Sequence, residues 1–176
     1  REPTEETYAL GGAYRKLFED VLTYCREAVA GGADMRAQQR RVRHWAAIAL
    51  LRCVLSSPAM AAGVLAERAK RLTADAAGED DPAAVDRAYQ PQVMDALGDL
   101  DAGDGAPTAP VDDPLAAWTD SERRRLREFS RRAAELQNPR EDAKLARAKA
   151  ITAKLLADGY RPIVFCRFID TADYLA

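Results

Sequence analysis

The sequence predicts a mainly α-helical protein: a bundle-like set of helices, a long acidic linker, and a truncated α/β layer that begins at the C terminus. Three observations predict this class. Hydrophobic residues make up 48% of the 176 residues but aromatic residues only 7%, and alanine is abundant, which favours helices. Apolar residues recur at helical spacing before and after the middle of the chain. The acidic charge is concentrated in that middle.

Charge divides the chain into three segments. Residues 1–73 carry a net charge of +4, residues 74–120 carry −11, and residues 121–176 carry +5. The acidic part is rich in Asp, Ala, Gly and Pro and poor in large apolar residues, so it predicts a linker or surface insertion over 74–118. It either solvates the chain or mimics nucleic acid and covers a basic face. The predicted domains on either side are a helical segment, 1–73, and a segment of helices and one strand, 119–176.

The first segment predicts three helices. The first helix stops at Gly31 and Gly32, and the second becomes almost wholly apolar in its later half, from Trp45 to Leu55. The third begins with Ser57 as N-cap and Pro58 at the first helical position. One face of the first helix holds the apolar residues Tyr14, Leu17, Phe18, Val21, Leu22, Cys25 and Val29.

The sequence does not indicate a membrane protein, a disulfide-bonded protein or a metal-binding protein. The apolar half of the second helix is interrupted by Arg52 and is too short to cross a bilayer, and no signal peptide is evident. An odd number of cysteines, each in an apolar run, predicts buried reduced thiols, and His44 lacks partners at ligand spacing. We therefore expect a cytoplasmic protein with no membrane partner and no metal site.

The second segment predicts two helices. Thr119 and Glu122 form a capping box for the first of them. The dipeptide of Asn138 and Pro139 starts the second, and Gly159 ends it. The first helix carries a narrow apolar seam at coiled-coil spacing, namely Leu126, Phe129, Ala133 and Leu136. The second is expected to turn four residues inward, namely Leu145, Ala148, Leu155 and Leu156.

A strand buried on both faces is predicted from Ile163 to Phe168, followed by a helix capped by Asp170 or Thr171. Such a strand belongs in a parallel sheet, yet the chain offers no second strand. We expect it either to pair with another copy in a dimer or to be remodelled against the helices as an extended or helical tail.

Two stretches resemble one family. The first is RRVRHWAAIALLRCVLSSPAMAAGVLAERAKRL, and the second is NPREDAKLARAKAITAKLLADGYRPIVFCRFIDTADYLA. They are similar to the inter-lobe helical segment and to the start of the second RecA-like lobe in superfamily 2 helicases and translocases of the Swi/Snf-like bacterial branch. The residues that match its motif IV are Val164, Phe165, Phe168, Asp170, Thr171, Tyr174 and Leu175. The two stretches cover roughly 70 of the 176 residues.

The resemblance implies that this chain is the middle of an ATP-dependent translocase. ATP and Mg²⁺ would be cofactors of the parent protein, and nucleic acid, with DNA expected, would be its partner. The sequence contains no G-x-x-x-x-G-K-[ST] loop and no D-E-x-H motif, so we expect no cofactor site and no catalytic residue in this fragment.

Five residues are candidates for contacting nucleic acid. The resemblance implies Arg167 and Thr171, because the end of the motif IV strand faces the bound backbone in the family. Helical spacing adds Arg36, Arg40 and Arg43, which form one stripe that either contacts phosphates or is a solvated face.

The sequence leaves two alternative functions, which belong to different classes. The first is the central fragment of an ATP-dependent nucleic-acid helicase or translocase, inactive as an ATPase by itself. The second is a free-standing helical interaction module that binds a partner through the apolar seam. A phosphate-binding loop upstream in the reading frame would distinguish the first from the second.

Overall fold

The computed structural model describes residues 4–32, 37–70 and 120–176, and these residues confirm the mainly helical class. The predicted acidic linker and Thr119 of the predicted capping box lie outside the described residues. Six helices form in the described part, namely α1 (Gly12–Ala30), α2 (Ala37–Ser56), α3 (Pro58–Lys70), α4 (Asp120–Glu135), α5 (Ala143–Ala157) and α6 (Ile169–Leu175).

Helix α3 is the centre of the fold. It packs against α2 and α6 and, most extensively, against α4, while α1 packs against α2 and α4. One hydrophobic core therefore joins helices from both sides of the acidic segment. Its side chains with no exposed surface are Leu17, Val21, Leu50, Val54, Ala61, Leu65 and Ala133.

The apolar seam of α4 is buried against this core. Phe129 is only 4% exposed, and its ring lies edge-on to the Tyr24 ring of α1, with 6.1 Å between centroids. Ser130, the next residue, donates a hydrogen bond of 2.8 Å to the Ala62 carbonyl of α3. The seam is thus filled by the chain's own helices and is not an exposed face.

The break between α2 and α3 follows the predicted capping pattern. Ser57 separates the two helices, and its Oγ accepts a hydrogen bond of 3.1 Å from the Met60 amide. Pro58 occupies the first helical position, where the missing N–H costs nothing. The prediction of Ser57 as the N-cap of the third helix is confirmed.

The start of α5 differs from the prediction. Asn138 and Pro139 belong to a turn, in which Asn138 Oδ1 accepts from the amides of Arg140 and Glu141. The helix begins four residues later, with Asp142 as its N-cap. Asparagine side chains bond readily to the backbone two residues on, which favours a turn over a helix start.

Of the four residues of α5 that were predicted to point inward, one is buried, two are half-buried and one is exposed. Leu145 is buried, as predicted, but Leu156 is 57% exposed, so the prediction that it points inward is wrong. Only the first turn of α5 contributes a buried residue, because the rest of the helix extends away from the core. Gly159 ends the helix as predicted, with a φ of 83° that favours glycine.

The predicted strand is not seen. Residues 161–166 have no regular secondary structure, and no strand occurs in the described part of the chain. Phe165 is 91% exposed, whereas Phe168 is buried in the core. A strand needs a neighbour to receive its backbone hydrogen bonds, and none of the described segments provides one. The α/β layer is therefore absent from the described structure.

The cap of the last helix also differs. Phe168, in extended conformation, occupies the N-cap position of α6, so the prediction that Asp170 or Thr171 caps it is wrong. Thr171 lies in the first turn and points inward instead. The Phe168 ring enters the core, and this fixes the start of the helix two residues earlier than the polar residues indicate.

Candidate functional site

Three hydroxyl groups meet where α2 ends, α3 begins and α6 packs on them. Thr171 Oγ1 lies 2.8 Å from Ser56 Oγ and 2.9 Å from Ser57 Oγ. Thr171 is 5% exposed, so these hydroxyls satisfy one another in place of water. This hydroxyl cluster joins residues that are 114 and 115 positions apart in the sequence.

Close packing of α6 on α3 brings the cluster together. A side chain at Gly63 would come within 3.3 Å of Asp170 Oδ2, which is tighter than most contacts of a Cβ atom. The first turn of α6 therefore lies close to α3 at Gly63. The approach in turn places Thr171, one residue after Asp170, against the two serines.

The start of α5 contacts the same junction. Lys144 Nζ donates a hydrogen bond of 2.8 Å to the carbonyl of Ser56, at the C-terminal end of α2. A cation at this position satisfies a carbonyl that has no partner within the helix and complements the negative end of the helix dipole. Asp142, which caps α5, accepts from the amides of Lys144 and Leu145 and so fixes the position of this lysine.

Two tyrosines lie near the buried Asp142. Burial and, secondarily, the Asp142 charge raise the pKa of Tyr174 to about 12. Tyr14 donates its hydroxyl proton to the Val54 carbonyl at 2.6 Å, and burial with the same carboxylate raises its pKa far above the usual range. Both phenols are therefore neutral at physiological pH.

We expect the free energy of unfolding to fall as the pH rises through the window from about 10 to about 12. The unfolded chain releases the Tyr174 proton near the ordinary pKa of 10.0, whereas in the folded chain the pKa is about 12. The contribution of Tyr174 to the free energy of unfolding is therefore full below pH 10 and is lost as the pH rises through about 12. Urea unfolding at pH 8 and pH 11 measures the loss. Tyr174→Phe should lose less than the wild-type chain, and an equal loss in both would contradict the assignment.

The structure does not bring the predicted nucleic-acid residues together. Arg167 and Arg40 are exposed, while Thr171 is buried in the hydroxyl cluster. Arg43 donates to the Ala28 carbonyl at 3.0 Å, at the C-terminal end of α1. Arg43, the seventh residue of α2, lies about 20 Å along the helix from Ser56, the last residue of α2. Arg36 lies outside the described residues.

Three arginines of α4 are held by ion pairs within the chain. Arg132 lies 2.8 Å from Asp20 of α1, and Arg125 pairs with Glu27 of the same helix. Arg131 pairs with Glu128 and Glu135 on α4 itself. These three arginines tie α4 to α1 and to its own helical turns, so their charge is partly neutralised at this surface.

One surface groove was not anticipated from the sequence. It lies between α1 and α2, has a volume of about 330 Å³, and contains His44 and Arg26 among mainly apolar lining residues. His44 is exposed, as expected for a surface histidine. The lining of the groove contains no group of hydrogen-bonded polar side chains like the one at the α2–α3 junction. The hydroxyl cluster was not predicted either: Ser57 was expected only as an N-cap, and Thr171 only as a cap or a nucleic-acid contact.

Comparisons with known proteins do not identify the family of this chain. No family model matches the sequence, and no curated protein or solved structure is significantly similar to it. Among the helices that the structure describes, none combines the length and apolar character needed to cross a membrane. Within residues 4–32, 37–70 and 120–176, no group of three or more His, Cys, Asp or Glu side chains could hold a metal ion.

Proposed function

We propose that this chain is the central segment of an ATP-dependent nucleic-acid translocase of superfamily 2, in the Swi/Snf-like branch. It would supply the helices between the two lobes and the beginning of the second lobe. The observation that carries the proposal is the hydroxyl cluster. Ser56 and Ser57 belong to the first stretch that resembles this family, Thr171 belongs to the second, and the three side chains are in direct contact.

That contact supports the proposal because it joins the two stretches that resemble the same family. The S-S-P sequence in the middle of the first stretch meets the D-T sequence near the end of the second, more than a hundred residues later in the chain. In the proposed protein, the inter-lobe helices must join the second lobe at a defined place. The α2–α3 junction, with Lys144 and Thr171 bonded to it, is suited to that role.

The exposed apolar segment 161–166 is a second support. Ile163, Val164 and Phe165 are exposed by 77%, 57% and 91%. Within the described part of the chain, no backbone hydrogen bond joins residues 161–166 to another residue. Three consecutive exposed apolar residues with unpaired backbone suit a strand that adds to a sheet. We propose that neighbouring strands of the second RecA-like lobe cover this segment in the parent protein.

The residues of this chain do not form the ATP site in this proposal. Neither the sequence nor the described carboxylates provide a phosphate loop or a Mg²⁺-binding group, so ATP and Mg²⁺ would be held by other parts of the parent. The chain's own contribution is mechanical and electrostatic. The junction would transmit movement between the lobes, and exposed arginines such as Arg167 and Arg40 would contact phosphates.

We expect the isolated chain to hydrolyse no ATP, and the full-length protein that contains it to hydrolyse ATP at a rate that nucleic acid increases. The physical reason is that phosphoryl transfer requires the phosphate loop and metal-binding carboxylates that this segment lacks. A phosphate-release assay on both proteins, with and without DNA or RNA, measures this. Nucleic-acid-stimulated turnover by the isolated chain, or none by the full-length protein, would refute the proposal.

Arg167→Ala in the full-length protein should weaken nucleic-acid binding with little dependence on base sequence. Removing one phosphate contact should lower the slope of log affinity against log salt by about 1. Arg131→Ala is the matched control, because it removes the same charge from α4, outside the candidate residues for contacting nucleic acid. An equal change in slope for both variants would contradict a specific phosphate contact at Arg167.

The second candidate is a free-standing interaction module. Its originally expected docking face, the seam of α4, is buried in the chain's own core, so the seam supports no partner. The exposed segment 161–166 supports this candidate instead, through pairing with a second copy. Sedimentation equilibrium distinguishes the two. A dimer of the isolated chain that disappears in the full-length protein agrees with the translocase, and one that persists unchanged favours the module.

A further inference from the structure

The groove between α1 and α2, which we term the α1–α2 groove, is mainly apolar. Its volume is about 330 Å³. Two of its lining residues, Arg26 and His44, are polar and exposed, while most of the others are apolar, among them Val29, Ile48 and Leu51. A lining with so few polar groups suits the apolar face of a helix better than a polar small molecule.

The helix that forms one wall of this groove is strongly basic. Helix α2 contains four arginines and no acidic residue. Arg40 and Arg41 are exposed and lie about one helical turn before His44. Arg43 donates to the Ala28 carbonyl near the end of α1, so its charge lies where the two walls of the groove meet. An occupant that complements this groove is apolar on one face and acidic elsewhere.

The acidic segment of this chain contains one stretch with both properties, residues 86–101, which lies outside the described residues. Its sequence holds four acidic residues and one basic residue, a net charge of −3. Val93, Leu97 and Leu100 are spaced by four and three residues, which is the spacing of one helical face. Pro91 precedes them, at a place where the first turn of a helix tolerates proline.

Both ends of the acidic segment join the helical block near the groove. Arg68, in the last turn of α3, donates to the Ala46 carbonyl of α2 at 3.1 Å. Arg125, in the first half of α4, pairs with Glu27 in the last turn of α1. Ala46 and Glu27 are each next in sequence to a lining residue of the groove. The segment therefore leaves from α3 and returns to α4 at the end of the block where the groove lies.

The connections are long enough to let the stretch reach the groove. Fifteen residues, 71–85, precede it, and eighteen residues, 102–119, follow it. Fifteen extended residues span up to about 50 Å, whereas a helix with its side chains is about 10–12 Å across. A ligand attached by such a tether has an effective concentration of the order of 1 mM. A weak intrinsic affinity is then enough to fill the groove.

We propose that residues 86–101 dock in the α1–α2 groove of the same chain. The side chains of Val93 and Leu97 enter the apolar lining, and the aspartates of the stretch lie towards the arginines of α2. Of the two roles predicted for the acidic segment, this is the one in which it lies on a basic face. The inference goes beyond the proposed function and does not depend on it, because docking is measured without ATP or nucleic acid.

Methyl NMR on the whole chain tests the docking. Ile48 lines the groove, and the other three isoleucines lie between residues 151 and 169 and serve as internal controls. We expect nuclear Overhauser contacts between the Ile48 methyl groups and those of Val93 or Leu97. The double variant Val93→Ser with Leu97→Ser should abolish these contacts and shift the Ile48 signal. The other three isoleucine signals should stay in place.

Two matched controls separate this stretch and this groove from general effects. Val111→Ser with Leu115→Ser makes the same two changes in the acidic segment outside the stretch, and the Ile48 signal should be unchanged. Arg26→Glu reverses a charge at the groove and should weaken the contacts. Lys16→Glu makes the same change of charge at an exposed position about 15 Å away along α1 and should leave them unchanged.

Each other result overturns the inference. The absence of contacts between Ile48 and the stretch would show that something other than this segment occupies the groove. Contacts found only between labelled and unlabelled chains in a mixture would assign the groove to a second copy. Equal effects of the two double variants, or shifts of all four isoleucine signals, would show that the change is not confined to docking of residues 86–101.

Discussion

Phe129→Ala should lower the free energy of unfolding by about 3–5 kcal/mol, the largest single-residue effect we expect in this chain. The ring is 4% exposed, lies edge-on to Tyr24, and stands within cation–π distance of Arg125, 5.8 Å from its guanidinium carbon. Truncation removes this contact and leaves a cavity where α4 meets α1 and α3. Urea denaturation followed by circular dichroism measures the change.

Phe165→Ala is the matched control for this prediction. It deletes the same atoms from a ring that is 91% exposed, so the folded chain loses almost no burial. We expect a change within about 0.5 kcal/mol. If the two variants were equally destabilised, the described core would not be the one that holds the folded state together, and the packing of α4 would need revision.

Helical faces were predictable from the sequence because their spacing is local information. Most of the apolar face of α1 and the seam of α4 are buried in the core, and Ser57 with Pro58 starts α3 as predicted. Each of these follows from the period of a helix or from the chemistry of a cap, which needs only a few neighbouring residues.

The partner of each face was not predictable in the same way. The seam of α4 has coiled-coil spacing, which favours a helical neighbour but does not identify it, and the neighbour is α3, some fifty residues earlier. The choice depends on shape: Ala61 and Ala133 have no exposed surface, which allows a close approach of the two helices. A period in one helix contains no information about the small residues of another.

The strand prediction failed for an equally physical reason. The run from Ile163 to Phe168 has the composition of a buried strand. Composition alone does not show whether a neighbouring strand is present for it to pair with. Without a neighbour, residues 161–166 stay irregular, while Phe168 finds burial in the helical core. The same residue then displaces the helix start from Asp170, whose polar side chain had suggested a cap.

Of the residues at the candidate site, only Thr171 was predicted from the sequence as a site residue, and its geometry was not predicted. Thr171 was a candidate because of its position in the second stretch that resembles the family, and the structure places it in contact with the serines of the first. Its hydroxyl is thereby engaged with protein rather than presented to a phosphate. Lys144 and Asp142 were missed, although Asp142 three residues before Leu145 is a recognisable N-cap signal.

Asp142→Ala should lower the free energy of unfolding by about 2 kcal/mol, the upper end of the range for loss of an N-cap. The carboxylate is 2% exposed and accepts hydrogen bonds of 3.0 and 3.1 Å from the amides of Lys144 and Leu145. Because the site is buried, water replaces the removed carboxylate only in part, and both amides lose their hydrogen-bond acceptor. Urea denaturation at pH 7 measures the loss.

Two variants decide whether the cap is the cause. Asp142→Asn keeps an acceptor oxygen for the same amides and should recover most of the stability, because asparagine caps helices about as well as aspartate. Asp158→Ala removes a carboxylate at the opposite end of α5, where Asp158 is exposed, and should change stability by less than about 0.5 kcal/mol. If Asp142→Asn were as damaging as Asp142→Ala, the charge beside Tyr174 and Lys144, rather than the cap, would be what stabilises this end of α5.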